Sequence, residues 1–132
     1  METILLVEDS KFLRIATERA LSKAGYTVIS VGDGEEAVLQ ASTMLPSLVL
    51  LDMMLPKLSG PEVLHALKKN SATAHIPVVV LSSLSKKNEE KLMQEGAAAF
   101  LEKGPLLENP SLLLKAIKSV LAKKVSAASG LP

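Results

Sequence analysis

Three short apolar runs, Ile4–Val7, Leu48–Leu51 and Val78–Leu81, constrain this chain most. None of them alternates apolar with polar residues. A strand with one face in water alternates, whereas a strand that is apolar throughout must be covered on both faces. The runs therefore predict the inner strands of a parallel sheet sandwiched between helices. Tyr26–Val31 reads as a weaker strand and Ala97–Leu101 as a short one.

Helical patterns fill the gaps. Leu13, Ala16, Ala20, Leu21 and Ala24 fall at helical spacing, with Gly25 placed to end the helix. Asp33-Gly34-Glu35-Glu36 and Ser59-Gly60-Pro61-Glu62 both carry an N-cap with an acid three residues on. Ser85 can cap a polar helix reaching Glu95 and closed by Gly96, and Asn109-Pro110 opens a last helix striped by Leu113, Ala116, Ile117, Val120 and Leu121. The order βαβαβαβαβα predicts an α/β fold, a doubly wound five-stranded parallel sheet with helices on both faces. Right-handed crossovers and five strands point to the flavodoxin-like order 2-1-3-4-5, with the topological switch between strands 1 and 3. Residues 1–124 read as one domain. Residues 125–132 are rich in Ala and Ser, have no period, and read as a flexible tail or the start of a linker.

Composition excludes several function classes. The 132 residues hold no Cys, so disulfides, thiolate metal sites and Cys nucleophiles are ruled out. With 15 Lys+Arg against 14 Asp+Glu, the chain lacks the basic field that draws proteins to nucleic acid. Phe12, Tyr26 and Phe100 are too few aromatics for stacking bases. No apolar run approaches the ~20 residues that span a bilayer, and no secretory h-region is present. The expectation is a cytoplasmic domain that binds neither membrane nor nucleic acid directly.

Ligands of such sheets bind beyond the carboxyl ends of the strands, at the switch point. Glu8 and Asp9 come after the first apolar run, Asp52 after the third strand, Ser82 and Ser83 after the fourth, and Glu102 and Lys103 after the fifth. The chain has three Asp, and two of them flank the switch; Asp33 reads as a helix cap. Converging carboxylates repel, and a divalent cation relieves that repulsion; oxygen donors alone suit Mg²⁺. A neighbouring lysine supplies a point charge for a phosphate. Taken together, the strand ends describe phosphoryl transfer onto a carboxylate.

Val7-Glu8-Asp9-Ser10, Leu51-Asp52-Met53-Met54-Leu55-Pro56 with Gly60, Pro77 through Leu81-Ser82-Ser83, and Phe100-Leu101-Glu102-Lys103 carry a resemblance. Over about residues 2–123 the chain resembles the receiver domain of two-component response regulators, similar in layout to the single-domain chemotaxis regulator. The resemblance implies a phosphorylation-dependent signalling switch. Asp52 would accept the phosphoryl group. Asp9 would bind Mg²⁺ directly, Glu8 mainly through metal-bound water, and the Met54 carbonyl would be a further ligand. Lys103 would pair with the phosphate and the acceptor carboxylate. Ser82 would be the switch hydroxyl and Phe100 the aromatic switch residue. The phosphate would come from a histidine kinase or phosphotransfer protein, and an output partner would read the surface of helix 4, strand 5 and helix 5, the helix opened by Pro110. Such a domain catalyses its own phosphorylation and dephosphorylation and acts on no external substrate. In the family, Met54 and Leu84 hold the positions that border the path of attacking water.

The chain departs from the family pattern where Gly104 separates Lys103 from Pro105, where Ser83 comes after the switch hydroxyl, and where Phe100 replaces the commoner Tyr. The alternative is a phosphate-independent binding module of the same fold; the complete set Glu8, Asp9, Asp52, Ser82 and Lys103 speaks against it. A phosphatase of the haloacid-dehalogenase type needs an acid two residues past its nucleophile, where this chain has Met54, which cannot move a proton. A flavin-binding loop after strand 1 would not carry Glu8 and Asp9, which repel phosphate.

Overall fold

The computed structural model describes residues 2–83 and 89–129, with the backbone alone for Leu107 and residues 124–129. Five strands, β1 (Thr3–Val7), β2 (Thr27–Val31), β3 (Leu48–Asp52), β4 (Val78–Ser82) and β5 (Ala99–Glu102), form one sheet in the order β2-β1-β3-β4-β5. Every pairing is parallel. The helices are α1 (Lys11–Lys23), α2 (Gly34–Met44), α3 (Gly60–Lys69), α4 (Glu89–Gln94), α5 (Lys103–Glu108) and α6 (Pro110–Ser129). The doubly wound parallel sheet expected from the sequence is the one observed.

The apolar runs have the two-sided burial their composition demands. Every residue of β3 and β4 is buried. Leu5, Val7, Val49, Leu51, Val78 and Val80 face a core built with Ala37 and Ala41 of α2, Val63, Leu64 and Leu67 of α3, and Leu92 of α4. Ile4, Leu6, Leu48, Leu50, Val79 and Leu81 face the opposite core, with Leu21 of α1 and Leu113, Ile117, Val120 and Leu121 of α6. Each fully buried Leu, Ile or Val contributes about 1.5–3 kcal/mol over its exposed form, so the two layers hold the strand ends firmly in place.

The two capping signatures form. Asp33 accepts from the Glu36 N–H, and Ser59 with Glu62 completes a capping box. Ser10 caps α1 in the same way, accepting from the Leu13 N–H. Gly25, at φ +101°, ends the turn after α1.

Several boundaries differ from the sequence reading: β1 starts at Thr3, β2 starts at Thr27, and β3, β4 and β5 each run one residue further, to Asp52, Ser82 and Glu102. β5 starts at Ala99 because Ala97 N–H bonds Leu92 O and closes the end of α4. The loop after β5 is a helical turn: Lys103 directly begins α5, and no cis peptide occurs among the described residues. The last helix begins at Pro110 as expected, but its backbone stays helical through Ser129, past the point where the apolar period ends. The expected cap Ser85, with Leu84 and residues 86–88, lies outside the described residues, and α4 is described from Glu89.

Candidate functional site

Asp52, Ser82 and Glu102 are the last residues of their strands rather than loop residues, and the ladder runs through them: Asp52 pairs with Leu81 and Ser82 with Glu102. That placement buries Asp52 to 4% and Ser82 to 3% exposure. Glu8, one residue past β1, is also pulled in; its N–H bonds Val31 O at 3.1 Å, and it is buried as deeply as Ser82.

Lys103 organises the site. Its Nζ lies 2.7 Å from Glu8 Oε1 and 2.7 Å from Asp52 Oδ2, donating to both. The remaining oxygens of these acids take backbone donors: Ser10 N–H to Glu8 Oε2 at 3.2 Å, and Met54 N–H to Asp52 Oδ1 at 3.1 Å. Asp9 is exposed beside them. One carboxylate oxygen from each of Glu8, Asp9 and Asp52 falls within a 4.8 Å cluster. Three acids against one lysine leave excess negative charge.

Burial pushes the Glu8 carboxyl above the usual carboxylate range, and the Asp52 charge adds to this; the Lys103 and Ser10 hydrogen bonds only partly offset it. Burial by itself would push the Lys103 ammonium down. Its bonds to Asp52 and Glu8, with their charges, together outweigh burial and hold it above the ordinary lysine value. Lys103 is therefore a fixed cation here.

The donor set fits a hard divalent cation. Three carboxylates converge, two buried and fixed by hydrogen bonds and one open to solvent, and each carboxylate oxygen keeps spare acceptor capacity. Such a cation would offset the charge that Lys103 leaves uncompensated.

The structure also places the remaining expected residues. The Met54 backbone folds back over Asp52 through its N–H, while its side chain points outward, the residue being 62% exposed. Phe100 on β5 is partly buried and packs against the core shared by α2, α3 and α4. Ser83 is exposed, and a Cβ on Gly104 would meet nothing within 4 Å. Leu84 is outside the described residues.

Two supports escaped the sequence reading. The β3–α3 loop is seated between glycines. Gly34 N–H bonds Pro56 O at 3.3 Å and Gly60 N–H bonds Met53 O at 3.1 Å. A Cβ at Gly34 would lie 2.0 Å from Leu58 O, and one at Gly60 would lie 2.4 Å from Met53 Cα. Within that loop Lys57 takes φ +66°, and its Nζ stands 3.5 Å from Asp33 Oδ2. The second support is Arg14, whose Nη1 donates to the Glu8 carbonyl at 2.8 Å. The loop seat depends on the packing of distant segments, and the Arg14 bond, though it spans six residues, runs over the distant Gly32, so neither role shows in the local sequence.

A parallel β2-β1-β3-β4-β5 sheet thus carries an acid cluster and a lysine at its switch point. The family model for the response regulator receiver domain matches residues 4–118, and the chain belongs to that family, a component of two-component systems. The gliding motility regulatory protein of Myxococcus xanthus is 44% identical over 105 residues, covering 78% of this chain and 13% of that protein. The polar-differentiation response regulator DivK of Brucella anthropi is 32% identical over 103 residues, covering 77% and 84% respectively. The chain spans about half, 53%, of other curated regulators that it matches. Among solved structures, the receiver domain of a sensor histidine kinase from Pseudomonas aeruginosa PAO1, described with a magnesium ion in its active-site cleft, aligns with TM-score 0.81 and 26% identity over 92% of this chain and 98% of that one. Among the described residues no helix is long and apolar enough to cross a membrane.

Proposed function

We propose that this domain is a phosphorylation-dependent switch in which Asp52 accepts a phosphoryl group from a histidine kinase or phosphotransfer protein. The observation that carries this reading is the Lys103 ammonium 2.7 Å from both Asp52 and Glu8, with Asp9 completing a three-carboxylate cluster. Asp9, Asp52 and the Met54 carbonyl would hold Mg²⁺, with Glu8 assisting mainly through water. When bound, Mg²⁺ supplies neutralisation of the phosphoryl oxygens. The magnesium described for the Pseudomonas receiver supports this assignment.

An Asp52 carboxylate oxygen attacks phosphorus and forms the new O–P bond. The donor's P–N or P–O bond breaks, and its electron pair leaves with the donor. Lys103 Nζ, 2.7 Å from Asp52 Oδ2, pairs with the phosphoryl oxygens and holds the acceptor carboxylate in place. Ser82, at the adjacent strand end, donates its hydroxyl to the phosphoryl group, and Phe100 moves inward after it. The altered face of α4, β5 and α6 is what an output partner reads. In this reading residues 1–124 are the switch and residues 125–132 a tail or the start of a linker. The domain works in the cytoplasm, without contact to nucleic acid, and turns over no external substrate.

Incubation with Mg²⁺ and acetyl phosphate should add one acid-stable, alkali-labile phosphoryl group, counted by intact mass. Asp52→Asn should lose the modification completely. A phosphoryl group retained on that variant would move the acceptor elsewhere.

The exposed Met54 side chain beside the acceptor cannot orient a water for in-line attack, and positioning supplies much of phosphoryl-transfer catalysis. Spontaneous dephosphorylation should therefore be slow, and Met54→Asn should hasten it. Decay after donor removal at constant Mg²⁺ measures this; an unchanged half-life refutes it.

A further inference from the structure

We infer that Arg14 is a positioning residue for the divalent cation, acting through the Glu8–Asp9 peptide; the inference rests on the proposed Mg²⁺ reading. Arg14 is on α1, six residues past Glu8, and its Nη1 donates to the Glu8 carbonyl at 2.8 Å. That carbonyl belongs to the peptide unit whose N–H is that of Asp9. The N–H of Glu8 is held by Val31 O at 3.1 Å, and its two carboxylate oxygens by Lys103 and Ser10. Glu8 is thus restrained at its amide, its carbonyl and its carboxylate. Asp9 is exposed, and its own side chain has no such restraint among the described residues. The Glu8–Asp9 peptide fixes where Asp9 N and Cα stand, and so the point from which its carboxylate reaches the cluster; Arg14 holds that peptide.

The route taken by the guanidinium is specific. It crosses from α1 to the end of β2, where a Cβ on Gly32 would stand 3.1 Å from Arg14 Nη1. Gly32 leaves a gap that the guanidinium enters on its way to the Glu8 carbonyl. No positive φ obliges glycine at this position. The missing side chain serves the close approach of Arg14. Two residues far apart in sequence thereby fix one peptide of the acidic loop.

Positioning and bystander charge predict opposite signs. A cation near a cation site repels it, so if Arg14 mattered only by its charge, Arg14→Met would tighten Mg²⁺ binding. If Arg14 orients Asp9, Arg14→Met weakens Mg²⁺ binding about tenfold, the scale expected when a partner that orients a metal ligand is lost. Arg14→Lys keeps the charge and one donor and should recover part of the affinity. Gly32→Ala, which crowds the guanidinium, should weaken binding in the parent and have no effect when combined with Arg14→Met.

The experiment is calorimetric titration of the intact chain with Mg²⁺, with melting temperature and the metal-free ¹⁵N shift of the Asp9 amide read on each variant. The expected result is weaker binding for Arg14→Met, a moved Asp9 amide signal without metal, and a non-additive Gly32→Ala effect. Unchanged or tighter Mg²⁺ binding by folded Arg14→Met overturns the inference, including the case where only its melting temperature falls. Additive Gly32→Ala and Arg14→Met effects overturn it as well. A parent chain that binds no Mg²⁺ removes the underlying reading, an outcome distinct from a parent that binds and a variant that binds equally well.

Discussion

Lys103→Met should lower the melting temperature of the metal-free protein by on the order of 10 °C, whereas Asp52→Asn should raise it. Lys103 is the shared partner of two buried acids, its side chain 16% exposed and theirs 5% and 6%. Removing it leaves two carboxylates facing each other without the cation that both accept from. Breaking a buried pair in this way costs about 3–5 kcal/mol. The low end applies because Glu8, already held above the usual carboxylate range by burial, can take up a proton. Asp52→Asn acts in the other direction. It keeps an oxygen for the Met54 N–H and leaves Lys103 paired one-to-one with Glu8. The double variant should regain much of what Lys103→Met loses, since a single buried carboxylate then remains between the two positions. Mg²⁺ should stabilise Lys103→Met more than it stabilises the parent. Thermal melts of the four proteins with and without Mg²⁺ decide the matter. A Lys103→Met shift no larger than that of a surface lysine, or a fall for Asp52→Asn, would show that these charges do not govern the site.

The second large effect belongs to a glycine remote from the acids in sequence. Gly34→Ala places a methyl 2.0 Å from Leu58 O and 2.6 Å from Leu58 Cβ, so either α2 or the β3–α3 loop must move. The obstacle includes backbone, which yields less readily than a side chain. The cost should reach about 3 kcal/mol, the upper part of the overpacking range. The displaced loop carries Met54, whose N–H caps Asp52 Oδ1. Amide signals of residues 53–60 should therefore shift together with the fall in melting temperature. Gly104→Ala is the control. Its Cβ meets nothing within 4 Å and it lies inside α5, so it should be neutral or slightly stabilising. Equal melting temperatures for the parent and Gly34→Ala would show that the loop is not seated on α2 as described.

Much of the molecule was legible in the chain. Continuous apolar runs with helical patterns between them admit few packings, because strands apolar on both faces need two helical layers. Sequence alone thus determined the parallel sheet, its strand order and the end of the sheet where chemistry gathers, and it placed Glu8, Asp9, Asp52, Ser82 and Lys103 there. It also determined the caps at Asp33 and Ser59, since a cap acts within one turn of its own helix. Tertiary structure decided everything that depends on two distant segments meeting. It carried the ladders through Asp52 and Ser82 and so buried both. It placed one lysine between two acids, laid Arg14 across Gly32 to the Glu8 carbonyl, and pressed Leu58 against Gly34. The turn after Lys103 and the persistence of α6 to Ser129 were likewise decided there. The physical reason is the range of the forces. Periodicity and capping are local and leave a mark on neighbouring residues, whereas a hydrogen bond or steric contact between remote residues leaves none until the chain is folded.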